Sequence, residues 1–431
     1  MTYTPNPSKK ADFDAEPLGT ITKLHVMPTG QALALELGQN QYDFVIKRAE
    51  RYHLKDLATM ALTETVARIN NKGEKNYSYV HRVNYCLKRR ISKEKAVGVR
   101  YNEKRGKAHY DNLQRCGSVW TCAICAAQIT EGRRAEAKAG FQNWRDQGGH
   151  IFMATFTNRH HIGDDLEGLL GGQKKALKKF WEKTKLVKRL KCLGYKGRLV
   201  ATEVTHGVNG WHPHYHMIMF FDQIQDPKEL QTLLGLEWQD ACKKSGMKIP
   251  SLNNGVQVQD GSKAEEYVSK WGLEDAKEKA HLIPKDKATS ATNWGLEEEI
   301  TKGHVKKGRE DSLTPFDLLR QSEDNPEYAK LFRQYADAFK GKQQLVWSKG
   351  LKDILGIEEV TDEQLAVETD KDSIVLDEIA LAIWELIHRA KKESHILHAY
   401  ELDYQDGGNR VHDLIWSLAD AHADELRKNS T

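Results

Sequence analysis

The sequence lacks the long apolar runs that mark membrane and secreted proteins. Its longest apolar stretch with helical spacing, 379–387, is far shorter than the ~20 residues that a membrane span needs. The first residues hold no apolar segment of the signal-peptide kind, and 1–20 are polar, a composition typical of a disordered tail. We therefore expect a cytoplasmic protein without a membrane partner.

Cysteine is also scarce, with six in 431 residues. Without a secretory signal, so few cysteines argue against a disulfide framework and favour a metal site or plain burial. Cys116, Cys122 and Cys125 form a Cys-x5-Cys-x2-Cys cluster whose last part has zinc-knuckle spacing. Three thiolates need a fourth ligand, and the candidates are Cys86, the nearest other cysteine, and His109. We predict a structural Zn²⁺ with Cys86 as the fourth ligand.

The chain has no large excess of either charge, because its 65 basic side chains nearly balance its 61 acidic ones. The distribution is uneven, however. Residues 356–431 hold 18 acidic and 7 basic side chains, so the first 355 residues hold 43 acidic and 58 basic ones. This asymmetry indicates that the basic region, residues 1–355, binds a polyanion. The alternative is that its charges only form a solvated surface.

A basic segment at 174–198 contains eleven Lys and Arg and a single acid, Glu182. Its apolar residues recur near helical spacing, which predicts a helix with one packed face and one basic face. Such a face is often merely solvated, but we predict that this one contacts DNA phosphates. The predicted DNA-binding residues are Lys174, Lys175, Lys178, Lys179, Lys185, Lys188 and Arg189.

The segment WHPHYHMIMF is typical of a strand and places His214 and His216 two residues apart. Side chains two apart on a strand share a face at about 7 Å, so both imidazoles can bind one cation. Asn209-Gly210, just before the strand, is the dipeptide most favoured at a two-residue hairpin turn. Centred there, the turn places Glu203 opposite His216. A His-His-Glu set with open positions suits Mg²⁺ or Mn²⁺ engaged with phosphate oxygens.

Two other interpretations of these histidines remain open at this point. His212 shares the face of His214 and is an alternative partner for it. The histidines are equally compatible with a structural role at the edge of a core.

The order of predicted elements indicates the fold class. A strand at 150–157 precedes the basic helix, two hairpin strands, a helix at 227–244, a strand near 256–258 and a helix that begins near 262. This order predicts an α+β fold, a central antiparallel sheet flanked by helices, of ferredoxin-like type. Helical patterns at 42–90 and 131–147 precede it.

These patterns divide the chain into five predicted regions. The C-terminal region either contacts a partner, such as a helicase or a second subunit, or caps the fold. The regions are a disordered tail (1–20), a mainly helical region with the cysteine cluster and a candidate DNA-binding role (21–147), the sheet domain (148–285), a helical extension (286–355) and an acidic helical module (356–431).

The helix predicted from about 262 carries Tyr267 and Lys270, which share a face because they are three residues apart. A tyrosine beside an ammonium group and a metal loses its proton more readily than its ordinary pKa of ~10 implies, and a phenolate attacks phosphorus. The Tyr-x-x-Lys spacing alone is weak, since an exposed tyrosine often only covers apolar surface. It gains weight from the two-histidine strand nearby.

Together these segments resemble the HUH endonuclease superfamily, in particular the plasmid rolling-circle replication initiators (Rep). The apolar strand FMATFT at 152–157 matches the first family motif, HYH at 214–216 the second, and YVSKW at 267–271 the third. The match to the second motif implies that His214 and His216, and not His212, form the metal-binding pair. The cysteine segment and WSKGL at 347–351 are also similar to bacterial plasmid initiators, so the resemblance spans roughly 80–360.

The resemblance implies an enzyme that nicks one strand at the double-strand origin. Tyr267 would form a 5′-phosphotyrosine bond and leave a free 3′-hydroxyl, with Lys270 steadying the phenolate or phosphate, and would later rejoin strands. His214, His216 and Glu203 would hold the divalent cation on the phosphate. Host helicase and polymerase are the expected partners, together with single-stranded and origin DNA, and a homodimer is a further candidate assembly.

One departure from the family concerns termination. Some relatives carry a second tyrosine four residues after the first, where this sequence has Trp271. Termination would then use water, a second subunit or attack by a 3′-hydroxyl. The competing hypotheses are a single-strand DNA transposase with the same chemistry and a non-catalytic zinc-containing nucleic-acid-binding protein; a conjugative relaxase usually has the opposite motif order.

Overall fold

The computed structural model describes residues 39–69, 75–261, 312–367 and 373–428. This part of the chain is α+β, with antiparallel strand pairing and 13 α-helices. It divides into two compact units. The first joins the described residues up to Cys125 to those from Ala366 onward, and the second covers the described residues of 126–365. None of the described helices is long and apolar enough to cross a membrane.

The elements are numbered in chain order. The strands are β1 (Thr65–Ile69), β2 (Lys75–Tyr79), β3 (Val97–Asn102), β4 (Lys107–Asp111), β5 (His150–Thr157), β6 (Tyr195–Gly207), β7 (Gly210–Phe221), β8 (Val256–Asp260), β9 (Ser312–Leu313), β10 (Leu345–Trp347) and β11 (Ile374–Ile379). The helices are α1 (Gln39–Ala61), α2 (Ala123–Asp146), α3 (Leu166–Trp181), α4 (Thr184–Cys192), α5 (Pro227–Lys244), α6 (Leu252–Gly255), α7 (Pro315–Gln321), α8 (Pro326–Phe339), α9 (Leu351–Leu355), α10 (Asp362–Val367), α11 (Leu381–Arg389), α12 (Glu393–Asp406) and α13 (Arg410–Lys428).

The first unit contains more strand than the sequence indicates. The helical pattern at 42–90 holds only for α1, after which β1 and β2 form a hairpin. β3 and β4 form a second hairpin, and β11 pairs with β3 to complete a three-stranded sheet. The helical pattern predicted for 42–90 is therefore wrong after Ala61, and the module at 356–431, predicted as helical, contains β11 as well as its helices. β3 is a strand because it pairs with residues far along the chain, which local periodicity cannot reveal.

A buried ionic network links the two chain segments of this unit. Arg48 on α1 binds both carboxylate oxygens of Glu401 on α12, and the same carboxylate accepts a hydrogen bond from the Ala108 amide of β4. Burial favours the neutral acid, but the His398 imidazole, whose Nδ1 lies 3.6 Å from Glu401 Oε2, and the charge of Arg48 outweigh it and lower the pKa of Glu401 below its ordinary value. The acidic C-terminal segment thus folds together with the N-terminal segment.

The second unit is built on one antiparallel sheet with strand order β10-β6-β7-β5-β8, and β9 also pairs with β6. Its residues 150–260 run strand, two helices, two strands, two helices and strand; the predicted order holds except that the basic helix is divided in two and the short α6 precedes β8. The strand at 150–157 and the helix at 227–244 have the predicted bounds, whereas both hairpin strands extend beyond the bounds of about 198–205 and 211–220 that the sequence predicts.

The basic segment is two helices and the start of a strand, not the single predicted helix. α3 ends at Trp181 and α4 begins at Thr184, because Lys183 between them takes an extended conformation. The Lys183 ammonium binds the carboxylates of Glu237 and Asp240 on α5. Gly194, with a φ of +83°, then turns the chain into β6.

The sheet is covered on both faces, and strand alternation assigns each side chain to one of them. Phe156, Tyr215 and Met217 pack with the core under α3, α4 and α5. Ile218 and Phe220 pack on the other face, against α2. The even-numbered residues of β7 therefore lie on the α2 face, and His212, His214 and His216 continue that face toward the hairpin.

Candidate functional site

The hairpin that carries the paired histidines is offset from the predicted register. Gly207 pairs with Gly210, so Glu203 lies opposite His214, whereas the predicted partner was His216. The offset is two residues. Because strand side chains alternate with a period of two, Glu203 stays on the face of both histidines.

The cause of the offset lies at Gly210. This residue takes a φ of +82°, whereas Asn209 does not have a positive φ, so the turn is centred on Val208 and Asn209. A glycine in the left-handed region directly after the turn residues is a common arrangement in hairpins. The loop after β5 also approaches closely here, since a Cβ on Gly210 would lie 2.9 Å from Ile162 Cα.

Glu203, His214 and His216 come together in a compact triad. The Glu203 Oε2 atom lies 3.3 Å from the Nε2 atom of each histidine. The two Nε2 atoms are 3.2 Å apart. Ligands of one octahedral ion at ~2.1 Å lie roughly 3 Å apart, so this spacing suits a single divalent cation.

Hydrogen bonds at the far side of each ring orient the lone pairs toward Glu203. His214 Nδ1 lies 3.4 Å from the His212 carbonyl oxygen, which only accepts, so Nδ1 carries the proton. His216 Nδ1 lies 3.1 Å from Thr155 Oγ1 on β5, and with the proton on Nδ1 this hydroxyl oxygen accepts its hydrogen bond. Both Nε2 atoms then present lone pairs beside a carboxylate. Three converging acceptors fit a cation, as in metal sites whose histidines are oriented through their other nitrogen.

His212 does not join the triad. Its Nδ1 atom lies 3.2 Å from His160 Nδ1, on the loop after β5. Burial, followed by the neighbouring His214 and His160, lowers the pKa of His212 to about 4, so its ring is neutral at pH 7.

Four cysteines form a second candidate metal site, in the first unit. Cys86, Cys116, Cys122 and Cys125 are buried, and their sulfurs approach within 3.6–3.7 Å in three pairs. These distances far exceed the ~2.05 Å of a disulfide. Of the two predicted fourth ligands, Cys86 therefore lies in the cluster, whereas His109 is not part of it.

The backbone around the cysteines suits a negatively charged site. The residues that follow two of them, Leu87 and Gly117, have φ angles of +55° and +62°, and each redirects the chain directly after a thiol. Cys122 and Cys125 lie at the start of α2, where the positive end of the helix dipole stabilises thiolates. Hydrogen bonds from the other thiols, Cys116 first, lower the pKa of Cys86, whereas the contacts among the thiols raise the pKa of Cys116 and of Cys122, so that without a metal the cluster stabilises one thiolate among neutral thiols.

The predicted DNA-binding side chains are accessible. They lie on α3 and α4, and only Lys179 is half-buried. The exposed residues are Lys174, Lys175, Lys178, Lys185, Lys188 and Arg189.

The predicted catalytic residues Tyr267 and Lys270 lie outside the described residues, as does Trp271. Sequence reasoning assigned no role to Thr155 or His160. The signal for Thr155 was present, because it belongs to the strand that ends in threonines and pairs with His216. No local signal indicates His160, whose contact depends on the loop.

Comparison with known proteins gives two relatives from Streptomyces. "Protein rep" of Streptomyces lividans is 24% identical over 376 residues, which cover 72% of this chain and 81% of that protein. The chain resembles plasmid Rep proteins. "Neomycin resistance protein" of Streptomyces cyanogenus is 27% identical over 169 residues, 31% of this chain and 39% of that protein.

The similarity to Rep supports a replication-related role and confirms the resemblance to plasmid Rep proteins. No family model matches the chain. No solved structure matches it either.

Proposed function

We propose that the chain initiates plasmid rolling-circle replication by nicking one DNA strand at the origin, with Tyr267 as nucleophile. The observation that carries the proposal is the convergence of Glu203, His214 and His216 on one point of the sheet. The ferredoxin-like strand order β6-β7-β5-β8 and the similarity to Rep support it.

The proposed reaction is a transesterification. The phenolate oxygen of Tyr267 forms a bond to phosphorus, the bond from phosphorus to the 3′ oxygen breaks, and that oxygen takes a proton and becomes a free 3′-hydroxyl. Lys270 steadies the phenolate or the phosphate. A later attack by a 3′-hydroxyl on the phosphotyrosine ester rejoins strands without an external energy source.

Glu203, His214 and His216 are the proposed ligands of Mg²⁺ or Mn²⁺. A carboxylate and two imidazoles leave open positions for phosphate oxygens, in keeping with the ligand preferences of these ions. Such an ion would supply Lewis-acid stabilisation of the charge that develops on the phosphate. The protein itself orients the ligands. Thr155 holds the His216 ring and the His212 carbonyl holds the His214 ring, each with Nε2 toward Glu203.

The four-cysteine site is proposed to bind structural Zn²⁺. Sulfurs placed tetrahedrally around zinc at ~2.3 Å lie about 3.8 Å apart, close to the measured 3.6–3.7 Å. An all-thiolate site has no open position for substrate, so this metal would stabilise the fold of the first unit.

The basic side chains of α3 and α4 are proposed to bind single-stranded and origin DNA through phosphates. The proposed endonuclease domain spans 148–285, with the cysteine-containing 21–147 as an additional DNA-binding region. Helicase, polymerase and a second subunit remain proposed partners.

A denaturing gel tests the proposed activity. Labelled single strands covering both strands of a candidate origin are incubated with the protein and Mn²⁺ or EDTA. We expect a Mn²⁺-dependent nick with a covalent protein adduct, absent in Tyr267→Phe. Tyr404→Phe, at an exposed tyrosine of the first unit, is the matched control and should nick normally.

The gel also separates the competing hypotheses. Tight binding with intact DNA at every candidate origin would contradict nicking and favour a zinc-containing binding protein. A Tyr267-dependent nick confined to the ends of a mobile element would favour a transposase.

A further inference from the structure

A second imidazole pair, His160 and His212, lies beside the triad and has no role in the proposed chemistry. Their ring centroids are 4.6 Å apart and their Nδ1 atoms 3.2 Å apart. His212 is also adjacent to a triad member, with its ring centroid 5.3 Å from that of His214 and the planes tilted by 31°.

The hydrogen bonds of this pair determine which nitrogen of His212 carries the proton. His160 Nδ1 lies 3.3 Å from the Asn158 carbonyl oxygen, which can only accept. The proton therefore resides on His160 Nδ1, where it is shared between the Asn158 carbonyl oxygen and His212 Nδ1, and no proton fits on His212 Nδ1 facing it. A neutral imidazole with an acceptor at Nδ1 carries its proton at Nε2, so His212 Nε2 is a hydrogen-bond donor.

The loop that carries His160 is anchored at both ends. At its start, Asn158 is buried and its side-chain oxygen accepts a contact from the Cys242 thiol at 3.7 Å. At 161–162 the backbone of the loop packs against Gly210 of the hairpin, so closely that a residue with a Cβ in place of Gly210 would not fit. The loop thus holds His160 against His212 before any ligand arrives.

The position of His212 along β7 suits a second phosphate. Strand residues two apart share a face and are separated by about 7 Å, comparable to the repeat of successive phosphates along an extended DNA strand. A strand with one phosphate at His214 and His216 therefore presents a neighbouring phosphate near His212.

We propose that His212 Nε2–H donates a hydrogen bond to the phosphodiester next to the scissile one, and that His160 is the positioning residue that keeps His212 in this tautomer. The inference rests on the proposed function, because it takes the triad as the site of the scissile phosphate.

DNA binding in the Tyr267→Phe background, where cleavage cannot interfere, tests this inference. The probe is the single strand nicked in the gel above or, failing a nick, the strand bound most tightly. Fluorescence anisotropy with Mn²⁺ should show roughly tenfold weaker binding for His212→Ala, the expected loss of one hydrogen bond to a charged group. His212→Gln should regain part of the affinity, because its amide N–H extends toward the position of Nε2.

A matched control and a chemical test sharpen the result. His206→Gln, at a histidine of β6 that contacts Trp211, should bind as the parent does. Replacing one phosphate at a time by a neutral methylphosphonate should reveal a single position, next to the nick, whose loss weakens the parent but not His212→Ala.

Mn²⁺ affinity of the variants is measured in parallel. Weaker DNA binding by His212→Ala with unchanged Mn²⁺ binding supports the inference. The inference is overturned if His212→Ala binds every strand as tightly as the parent, or if its loss of DNA affinity is explained by weaker Mn²⁺ binding. Nicking by the unmodified protein tests the proposed function separately, so the two failures are distinguishable.

Discussion

Thr155→Val tests whether the hydrogen bond at the back of His216 controls metal affinity. Valine keeps the branched shape and strand preference of threonine but removes the hydroxyl that lies 3.1 Å from His216 Nδ1. His216 is only 7% exposed, so water cannot readily replace that partner. A buried group left unsatisfied costs about 1–3 kcal/mol, and 1.4 kcal/mol corresponds to about tenfold in affinity. We expect Mn²⁺ to bind roughly 10- to 100-fold more weakly, the range typical of lost partners behind a metal ligand.

Isothermal titration calorimetry with Mn²⁺ measures this effect. Thr155→Ser keeps the hydroxyl and should stay close to wild type. Thr232→Val removes a hydroxyl that only bonds its own helix on α5, and should not change Mn²⁺ affinity. Mn²⁺ binding by Thr155→Val within twofold of wild type, in a protein with an unchanged melting temperature, would refute the role of this hydrogen bond.

Three further perturbations test the two candidate metal sites and the fold of the first unit. Glu203→Gln should abolish Mn²⁺ binding and nicking while leaving the melting temperature near that of wild type; persistent Mn²⁺-dependent nicking would contradict its assignment as a ligand. Cys86→Ser should lower the bound zinc measured by a colorimetric chelator and lower the melting temperature, whereas Cys192→Ser, at an exposed thiol, should change neither. Glu401→Gln leaves the Arg48 charge buried without its counter-charge and should cost about 3–5 kcal/mol in urea unfolding at pH 7. Because the pKa of Glu401 is lowered in the folded state, the wild type should have its full excess in free energy of unfolding over this variant above the ordinary carboxyl pKa, and that excess should shrink as the pH falls through the lowered pKa. Equal free energies of unfolding at pH 7 would argue against the ion pair.

The second unit shows how far local pattern determines structure. β5 and α5 have their predicted bounds because alternation and helical spacing, followed by clear turn residues, are properties of the segments themselves. The gathering of Glu203 with the two histidines also follows from sequence, since a register offset of two residues leaves the face of each side chain unchanged.

Long-range contacts decided what the local pattern left open. At the hairpin, whose register differs from the predicted one, the 161–162 backbone approaches Gly210, and the break in the basic helix accompanies the binding of Lys183 to α5. β3 pairs with β11, and Cys86 joins the other three thiols, across separations that no sequence window spans. The sequence by itself therefore determined which elements form and which faces carry the chemistry, because these depend on neighbouring residues. Beyond the hairpin triad, only the tertiary structure decided which distant segments meet and which of the open alternatives holds, because loop closure and burial act between segments that are far apart in the chain.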